Sequence, residues 1–262
     1  MDSESVRPVN PDILPPFPDN WFTESFGTFY PLVYAHRSDA AAAEEARFAL
    51  EVAACDLSLP LLDCGCGTGR HLRWLSRSVR TAVGLDFSVP LLRAARQKLG
   101  AAVPLVRSDM RDLPFTDHTF GCVCSFFTSF GYFSDEDNDR AVSEWARVLK
   151  PGGVLFVDYL NTARIRRDLR PETRRMIEQW TVEELRWIDE QTKRVNKRIR
   201  ITDSNGLLQD FYESVRLYDP EELITLLAAR QLETIKSFGA FDGRPWTPDA
   251  DRLILVARRK AD

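Results

Sequence analysis

The 262-residue chain lacks any long apolar run. No segment approaches the roughly 18 consecutive apolar residues that a membrane-spanning helix needs. Its start, MDSESVRPVNPD, is acidic and proline-containing and lacks the apolar stretch of a secretory signal. We therefore expect neither a membrane protein nor a secreted one.

Cysteine and histidine are scarce. The five cysteines are Cys55, Cys64, Cys66, Cys122 and Cys124, and the three histidines are His36, His71 and His118. Four of the cysteines form two C-x-C pairs, which differ from the C-x-x-C spacing of common zinc and dithiol sites. The odd number favours free, largely buried thiols in a reducing compartment. We therefore expect a cytoplasmic protein without a metal centre.

The chain also has little net charge. It has 35 Lys and Arg against 39 Asp and Glu, a formal net charge of −4. This mildly acidic balance weakens the hypothesis of an electrostatic nucleic-acid binder. With 44% hydrophobic residues, the composition is that of an ordinary globular protein. The length suits one large domain, or one domain with a sizeable insert.

Short apolar segments alternate with helical patterns in the first two thirds of the chain. The predicted strands cover residues 59–64, 81–85, 102–106, 122–126 and 153–160. The predicted helices cover 39–53, capped by Asp39, then 70–77, 89–99 and 141–149. Strands separated by helices indicate βαβ units. The pattern therefore predicts an α/β fold with a doubly wound, mostly parallel sheet.

The pattern changes after the fifth predicted strand. Polar and apolar residues alternate from about 180 to 218, and Asp203–Gly206 is a plausible hairpin turn. We predict two or three antiparallel strands there, within a small β insert over residues 162–217. A helix beginning at Asp219-Pro220 and strands over 233–238 and 253–258 resume the first pattern. The predicted organisation is an arm (1–38, with irregular structure over 1–20), a core (39–161 and 218–262) and the insert.

A glycine-rich turn follows the first predicted strand. Gly65, Gly67 and Gly69 precede a helix, and their backbone can approach a ligand closely because glycine has no Cβ atom. A dinucleotide fingerprint would need glycine at position 70, which is Arg70. The Gly-Lys-Ser/Thr ending of a phosphate-binding P-loop is also missing. Asp63 would repel a pyrophosphate but suit a ligand that carries an ammonium or sulfonium group.

Two further acids follow the next two strands. Asp86 can accept hydrogen bonds from both hydroxyl groups of a ribose. Asp109 could accept from an adenine amino group while Met110 packs on the ring. Each acid alone could be an ordinary solvated loop residue. Their order after three consecutive strands places all of them at the sheet edge where such folds bind ligands.

Five motifs together resemble the class I S-adenosylmethionine-dependent methyltransferases. They are LLDCGCGTGRH, VGLDFS, RSDMRDLPF, FGCVCSFFTSFGYF and LKPGGVLFVDYLN. The resemblance runs from about residue 28 to 258. The insert and the region of Tyr30 and Arg37 look similar to small-molecule N-methyltransferases, including those that act on nucleotide-linked amino sugars. The resemblance implies a Rossmann-like fold, S-adenosylmethionine as cofactor, S-adenosylhomocysteine as product, no metal, and a small-molecule acceptor methylated at N or O.

The resemblance also implies roles for particular residues. The methionine portion of the cofactor would be held by Asp63 and by the backbone of Cys64, Gly65, Cys66 and Gly67. The adenosine portion would be held by Asp86 and Phe87 at the ribose and by Asp109 and Met110 at the adenine. Phe126 would lie near the transferable methyl group. Tyr30 and Arg37 would close over the cofactor, with Arg37 pairing its carboxylate.

The residues around the acceptor are harder to assign. Tyr132 is the candidate polar group at the reaction centre. Alternatively, its ring serves only for half-buried aromatic packing. If the last strand is antiparallel, as the resemblance implies, the loop over 241–246 lies beside the cofactor. This makes Asp158, Arg244 and Trp246 candidate substrate contacts.

The basic residues of the insert allow other interpretations. They cluster in Arg164–Arg175 and in the set Lys193, Arg194, Lys197, Arg198 and Arg200. They could cover an anionic substrate or contact RNA, but we favour a solvated strand face. The aromatic residues Trp180, Trp187 and Phe211 suggest a homodimer contact. An RNA methyltransferase, a non-catalytic cofactor-binding protein and, last, a nicotinamide dehydrogenase remain the alternative functions.

Overall fold

The computed structural model describes residues 18, 20–35, 37–206 and 208–261. Most of the predicted irregular arm over 1–20, and His36, lie outside the described residues. The helices are α1 (Phe22–Ser25), α2 (Tyr30–Val33), α3 (Asp39–Ala53), α4 (Leu72–Ser78), α5 (Val89–Leu99), α6 (Asp135–Val148), α7 (Thr162–Asp168) and α8 (Pro220–Ala229). The strands are β1 (Leu61–Cys64), β2 (Ala82–Asp86), β3 (Leu105–Arg107), β4 (Phe120–Ser125), β5 (Leu149–Leu160), β6 (Glu172–Ile177), β7 (Trp180–Asp189), β8 (Arg194–Thr202), β9 (Leu208–Arg216), β10 (Leu232–Phe238) and β11 (Arg252–Arg259).

Seven strands form the main sheet, in the order β10-β11-β5-β4-β1-β2-β3. The pairings among β1 to β5 are parallel, and β11 is antiparallel to both of its neighbours. Every residue of β1 and β4 is buried, as expected for central strands covered on both faces. The predicted doubly wound, mostly parallel sheet is confirmed.

Hydrogen-bonding side chains fix where several helices begin. The Ser88 hydroxyl accepts from the backbone of Leu91 at the start of α5, and Ser134 does the same for Asp137 at the start of α6. The predicted cap of α3 was wrong by one residue. Ser38 accepts from Ala41 there, whereas Asp39 forms ion pairs with Arg73 of α4 and Lys98 of α5.

The insert contains a second sheet, in which β6-β7-β8-β9 form an antiparallel meander. It follows β5 as predicted, but four strands are present rather than two or three. The undercount arose at β6, whose alternate residues are exposed or half-buried and include no fully buried position. The hairpin turn is confirmed, since Gly206 adopts a φ of 79° and donates its N–H to Asp203 at 3.1 Å.

The N-terminal helices pack on the insert sheet. Val33 joins a buried cluster with Val182, Ile199 and Ile201 of the insert. The ring of Phe29 lies 5.1 Å from Trp180 and 6.0 Å from Phe211. Two of the three aromatic residues behind the dimer hypothesis are therefore contacted by the chain's own N-terminal segment.

No helix within the described ranges is both long and apolar enough to cross a membrane.

Candidate functional site

Three adjoining cavities lie where β1, β2 and β4 end. Cavity A is lined by Phe22, Phe26, Tyr30, Gly65, Gly67, Leu85, Asp86, Phe87, Leu91, Ser108, Asp109, Met110, Ser129, Tyr132 and Phe133. Cavity B is lined by Tyr30, Pro31, Tyr34, Ala35, Arg37, Asp39, Gly65, Cys66, Gly67, Thr68, Arg70, His71, Lys98, Phe126, Phe127 and Ser129. Cavity C is lined by Trp21, Phe26, Tyr30, Tyr34, Arg37, Phe127, Thr128, Tyr132, Leu160, Ile165, Leu169, Arg186, Val195, Lys197, Glu213 and Val215. Tyr30 borders all three, so the cavities meet at this side chain.

The glycine-rich turn forms the floor between cavities A and B. The backbone N–H groups of Gly65 and Cys66 donate to the carbonyl of Leu85, at 2.8 and 2.9 Å. A Cβ atom on Gly65, whose φ is 80°, would lie 2.6 Å from the Cβ of Ser129. The absence of a side chain there therefore lets the segment after β4 close over the turn.

Asp63 is the penultimate residue of β1, just before this turn. Its side chain is buried, and neither carboxylate oxygen has a hydrogen-bond partner among the described residues. Burial, together with the negative charge of Asp86, raises the pKa of Asp63 to about 7, and the positive charge of Arg70 opposes the rise. Asp63 is not part of the wall of the three cavities. A buried carboxylate without a donor is nevertheless an arrangement that suits a nearby cationic ligand group.

Asp86 lies on the wall of cavity A. Its two oxygens accept the backbone N–H groups of Gly67 and Ser88, both at 2.8 Å. Burial raises its pKa despite these hydrogen bonds. The carboxylate thus links the glycine turn to the beginning of α5 and faces the cavity from below.

The far side of cavity A is flat and apolar. Phe87 has 38% of its surface exposed, and Met110 lies on the same wall. Asp109 is held by Arg111, whose Nη2 lies 2.7 Å from Oδ2. Burial opposes ionisation of Asp109, but the hydrogen bonds from Arg111 lower its pKa. The wall thus combines an exposed aromatic ring, a thioether and a carboxylate that is held by Arg111.

Cavity B contains more positive charge than the sequence indicated. Arg70 and Lys98 line it together with the predicted Arg37. Arg70 is paired with Glu45 at 3.0 Å. The only sequence signal for Arg70 was its position directly after the glycines, where a side chain on the first turn can reach the ligand side.

Phe126 and Cys66 line cavity B, whereas the side chain of Cys64 does not. Phe126 is on the wall of cavity B, with its ring stacked on His71 at a centroid distance of 4.0 Å. Cys66 also lines cavity B. Cys64 points to the opposite face of the sheet, where its sulfur accepts from Trp145 Nε1 at 3.3 Å. Of Cys64, only the backbone is available to the site.

Arg37 separates cavities B and C. Its guanidinium lies 3.8 Å from the ring centroid of Tyr34 and 3.5 Å from that of Phe127. Its Nη1 donates to the Tyr30 hydroxyl at 3.1 Å. The cation is therefore held by two aromatic faces and remains beside the ligand space.

Tyr132 borders cavities A and C. Its ring lies 5.3 Å from the rings of Trp21 and Phe26. Burial raises the pKa of its hydroxyl well above the ordinary value of 10.0. The hydroxyl can therefore donate or accept a hydrogen bond at neutral pH but does not supply a phenolate.

The three candidate substrate contacts do not line cavities A, B or C. Asp158 is fully buried and accepts from the backbone of Phe127 at 2.7 Å and from Arg252 at 2.6 Å. Arg244 is exposed and paired with Asp242, and Trp246 packs against the buried core. The loop over 241–246 thus holds itself together and packs on the core, because the turn residues and the Asp242–Arg244 pair direct its side chains there.

The interpretation of the insert's basic residues as a solvated face was wrong for two of them. Arg194 donates to the backbone carbonyls of Gly131, Tyr132 and Phe133, at 3.1, 2.9 and 2.8 Å. Lys197 lines cavity C with only 14% of its side chain exposed. Lys197 shares its face of β8 with Ile199 and Ile201, which pack against Val33, whereas Arg194 lies on the other face beside the segment after β4.

Comparisons with known proteins agree with this geometry. Residues 61–153 match a family model described as a methyltransferase domain. The dTDP-3-amino-3,4,6-trideoxy-alpha-D-glucopyranose N,N-dimethyltransferase of Streptomyces venezuelae is 39% identical over 37% of this chain and 41% of that protein. The chain thus spans about two fifths of the length of the curated relatives that it matches.

Solved structures resemble nearly the whole chain. The sugar N-methyltransferase KedS8 from Streptoalloteichus sp ATCC 53650 has a TM-score of 0.67 and 28% identity, over 89% of this chain and 94% of that one. The CcbJ methyltransferase from Streptomyces caelestis has a TM-score of 0.76 over 90% and 98% of the two chains, and at 23% identity it shows the shared fold. The sheet order, the glycine turn and the matched methyltransferase domain over residues 61–153 therefore agree with the resemblance to class I S-adenosylmethionine-dependent methyltransferases.

Proposed function

We propose that this protein transfers a methyl group from S-adenosylmethionine to a nitrogen or oxygen atom of a small-molecule acceptor. The observation that carries the proposal is the meeting of cavities A, B and C at Tyr30. Cavities A and B share Gly65, Gly67 and Ser129, so one extended ligand can lie along the glycine turn. Cavity C, about 270 Å³, gives a second molecule access to the middle of that ligand.

The residues of cavities A and B fit the cofactor. The flat wall of Phe87 and Met110 suits the adenine, with Asp109 at its edge, and Asp86 suits the ribose hydroxyls. The unpartnered carboxylate of Asp63 suits the positive end of the methionine portion. Arg37 and Arg70 suit its carboxylate.

The chain's own contribution to the reaction is alignment and exclusion of water. When bound, S-adenosylmethionine supplies a methyl group already activated by its sulfonium. Tyr30 and Tyr132 lie between the cofactor space and cavity C, where they can fix the line of approach of the acceptor for an in-line displacement. Trp21, Phe26 and Phe127 make the surrounding wall apolar. Positioning of this kind can contribute roughly 7–11 kcal/mol to a reaction.

The relatives favour nitrogen as the acceptor atom. Two of the proteins named above are, by name, an N,N-dimethyltransferase of an amino sugar nucleotide and a sugar N-methyltransferase. The RNA alternative gains nothing from the insert, because several of its cations are already in ion pairs. Arg198 and Arg200 pair with Asp210, and Arg175 and Arg186 pair with Glu184.

Melting temperatures with S-adenosylmethionine, S-adenosylhomocysteine and NAD test the proposal. A ligand at about 100 times its dissociation constant adds roughly 2.7 kcal/mol, or roughly 5–10 °C for a chain of this size. We expect such a shift with the two adenosyl-sulfur ligands and none with NAD. Asp86→Ala should lower their binding free energy by about 1–3 kcal/mol. The absence of any shift at saturating concentrations would favour a different or non-catalytic function.

Two further proposals concern the whole protein. The five cysteines are all free thiols in the structure, which supports a reducing, cytoplasmic location. A homodimer through the insert would have to use surfaces other than those that Phe29 covers. Sedimentation that showed only a 30 kDa species at micromolar protein would contradict it.

A further inference from the structure

Three polar side chains from distant parts of the chain meet on one wall of cavity C. The Tyr34 hydroxyl, from the segment after α2, donates to Glu213 of β9, with oxygen–oxygen distances of 2.5 and 2.8 Å. Lys197 of β8 lies 2.6 Å from the same carboxylate and also contacts the Tyr34 hydroxyl. Only 14% of the Lys197 side chain and 17% of the Glu213 side chain are exposed. We call these three residues the 34–197–213 cluster.

The cluster lies close to the reaction centre. The rings of Tyr34 and Tyr30 are 4.6 Å apart, and Tyr30 is where the three cavities meet. Glu213 is near enough to raise the pKa values of Tyr30 and Tyr132, although burial is the main cause of both shifts. The carboxylate therefore belongs to the surroundings of the transferred methyl group.

The other lining groups of cavity C are poor proton acceptors. Arg37, Arg186 and Lys197 are cations, which donate hydrogen bonds but have no lone pair to accept a proton. The hydroxyls of Tyr30, Tyr34 and Tyr132 have raised pKa values, so they remain protonated near neutral pH. Among the described residues that line cavity C, Glu213 is the one carboxylate.

We propose that Glu213 accepts the proton of the acceptor's nucleophilic group and selects an amine that arrives as an ammonium ion. This inference rests on the proposed methyl transfer and adds the residue that prepares the acceptor. One N–H bond of the ammonium breaks, the proton forms an O–H bond with a carboxylate oxygen of Glu213, and the electron pair stays on nitrogen. The neutral amine is then able to attack the methyl carbon.

The surroundings of Glu213 suit a cationic acceptor. The aromatic side chains of Trp21, Phe26, Tyr30, Phe127 and Tyr132 also line cavity C, and aromatic faces attract ammonium groups. The charges that face Glu213 come from three elements besides its own strand. They are Lys197 on β8, Arg186 and Glu184 on β7, and Arg37 before α3.

The test uses sinefungin, an analogue of S-adenosylmethionine with an amino group in the position of the transferable methyl group. In the proposed binding mode its ammonium ion would point toward cavity C, where S-adenosylhomocysteine would place no group. The measured quantity is the ratio of the dissociation constant of S-adenosylhomocysteine to that of sinefungin, by calorimetry. We expect Glu213→Gln to lower this ratio by about tenfold, the effect of removing one charge a few ångströms away. Its affinity for S-adenosylhomocysteine should stay unchanged.

Two further variants separate this effect from general disruption. Asp210→Asn is the matched control, because Asp210 is also on β9 and ion-paired but does not line cavity C. It should leave the ratio unchanged. Lys197→Met should raise the ratio, because it removes a cation beside the ammonium, and misfolding does not produce a rise.

The possible failures are distinguishable. If wild-type protein binds neither ligand, the proposed function fails. If it binds both but Glu213→Gln leaves the ratio at the wild-type value, Glu213 does not face the reacting group and this inference is overturned, while the proposed methyl transfer stands.

Discussion

At the scale of single residues, the buried carboxylate of Asp63 has no hydrogen-bond donor among the described residues. Its pKa in the folded protein is about 7, against an ordinary value of 3.8. Because the folded-state pKa is raised, the associated stability is present at low pH and is lost as the pH rises through about 7. The cofactor-free protein is therefore destabilised by this carboxylate at alkaline pH.

Asp63→Asn should remove the destabilisation caused by the buried carboxylate. It should also remove the negative charge that suits the proposed cofactor. We expect the variant without ligand to melt at least about 2–4 °C above wild type at pH 8, the shift produced by roughly 1 kcal/mol. At pH 5 the difference should be smaller, since Asp63 is then protonated in the folded protein and ionises only on unfolding. Calorimetry at both pH values measures this, with exposed Asp117→Asn as the control. Equal melting at pH 8 would contradict the buried, charged state.

The positions of polar residues near strand ends could be predicted from the sequence, whereas contacts between distant parts of the chain could not. Asp63, Asp86 and Asp109 each lie at or just beyond the end of a strand, so their position followed from the strand alone. Glu213 contacts Tyr34, which is 179 positions away. No local pattern contains such a pairing, since it depends on how the insert sheet is placed over the core.

At the scale of elements, Arg194 joins the insert sheet to the segment after β4. Its guanidinium also donates to the hydroxyl and the carbonyl of Ser214, at 2.7 and 2.9 Å. The fork of donors thus connects β8, β9 and the backbone that carries Tyr132. A lysine has one point charge and cannot reproduce this arrangement.

Arg194→Lys should therefore destabilise the protein by about 1–3 kcal/mol, the scale for lost hydrogen bonds to a charged group. Chemical denaturation monitored by tryptophan fluorescence measures the loss. Arg200→Lys, on the same strand and in a half-exposed pair with Asp210, should change stability by less than about 1 kcal/mol. A similar loss of stability in both variants would show that the hydrogen bonds of Arg194 to backbone carbonyls stabilise the protein no more than the Arg200–Asp210 pair does.

The limits of elements with a regular apolar pattern were predicted closely. Elements with few apolar residues were predicted less well. Helix α5 has the predicted limits, because Ser88 and Gly100 mark both of its ends. Strand β6 was missed because its side chains alternate between exposed and half-buried. An arginine-rich strand of this kind has the composition of a loop. Helix α6 contains residues 141–148 of the predicted helical segment and begins six residues before it, since its acidic first turn follows the cap at Ser134.

At the scale of the whole molecule, the N-terminal segment connects the cofactor space to the insert. Phe22 and Phe26 line cavity A, whereas Phe29 packs between two rings of the insert. Ser25 accepts the backbone N–H of Tyr212 at 3.0 Å. A ligand in cavity A should therefore stabilise the segment and the insert together.

We expect S-adenosylhomocysteine to slow hydrogen exchange over residues 20–35 and in β9, in addition to the glycine turn. Phe29→Ala should weaken ligand binding although Phe29 lines none of the three cavities, because it removes two aromatic contacts worth about 0.5–1.5 kcal/mol each. Exchange mass spectrometry and calorimetry give the two readouts. Ile235→Ala, exposed on the far edge strand β10, is the control and should bind normally. Protection confined to residues 61–110 would contradict the coupling.

The walls of the cavities have separate origins along the chain. Most of the surface suited to the cofactor comes from residues 61–153, the segment that matches the methyltransferase domain. Most of cavity C comes from residues 21–37 and 160–215. The proposed cofactor space and the proposed acceptor space are thus formed largely by different segments of the chain. Grafting the second pair of segments from a related enzyme should transplant its choice of acceptor onto an unaltered cofactor site.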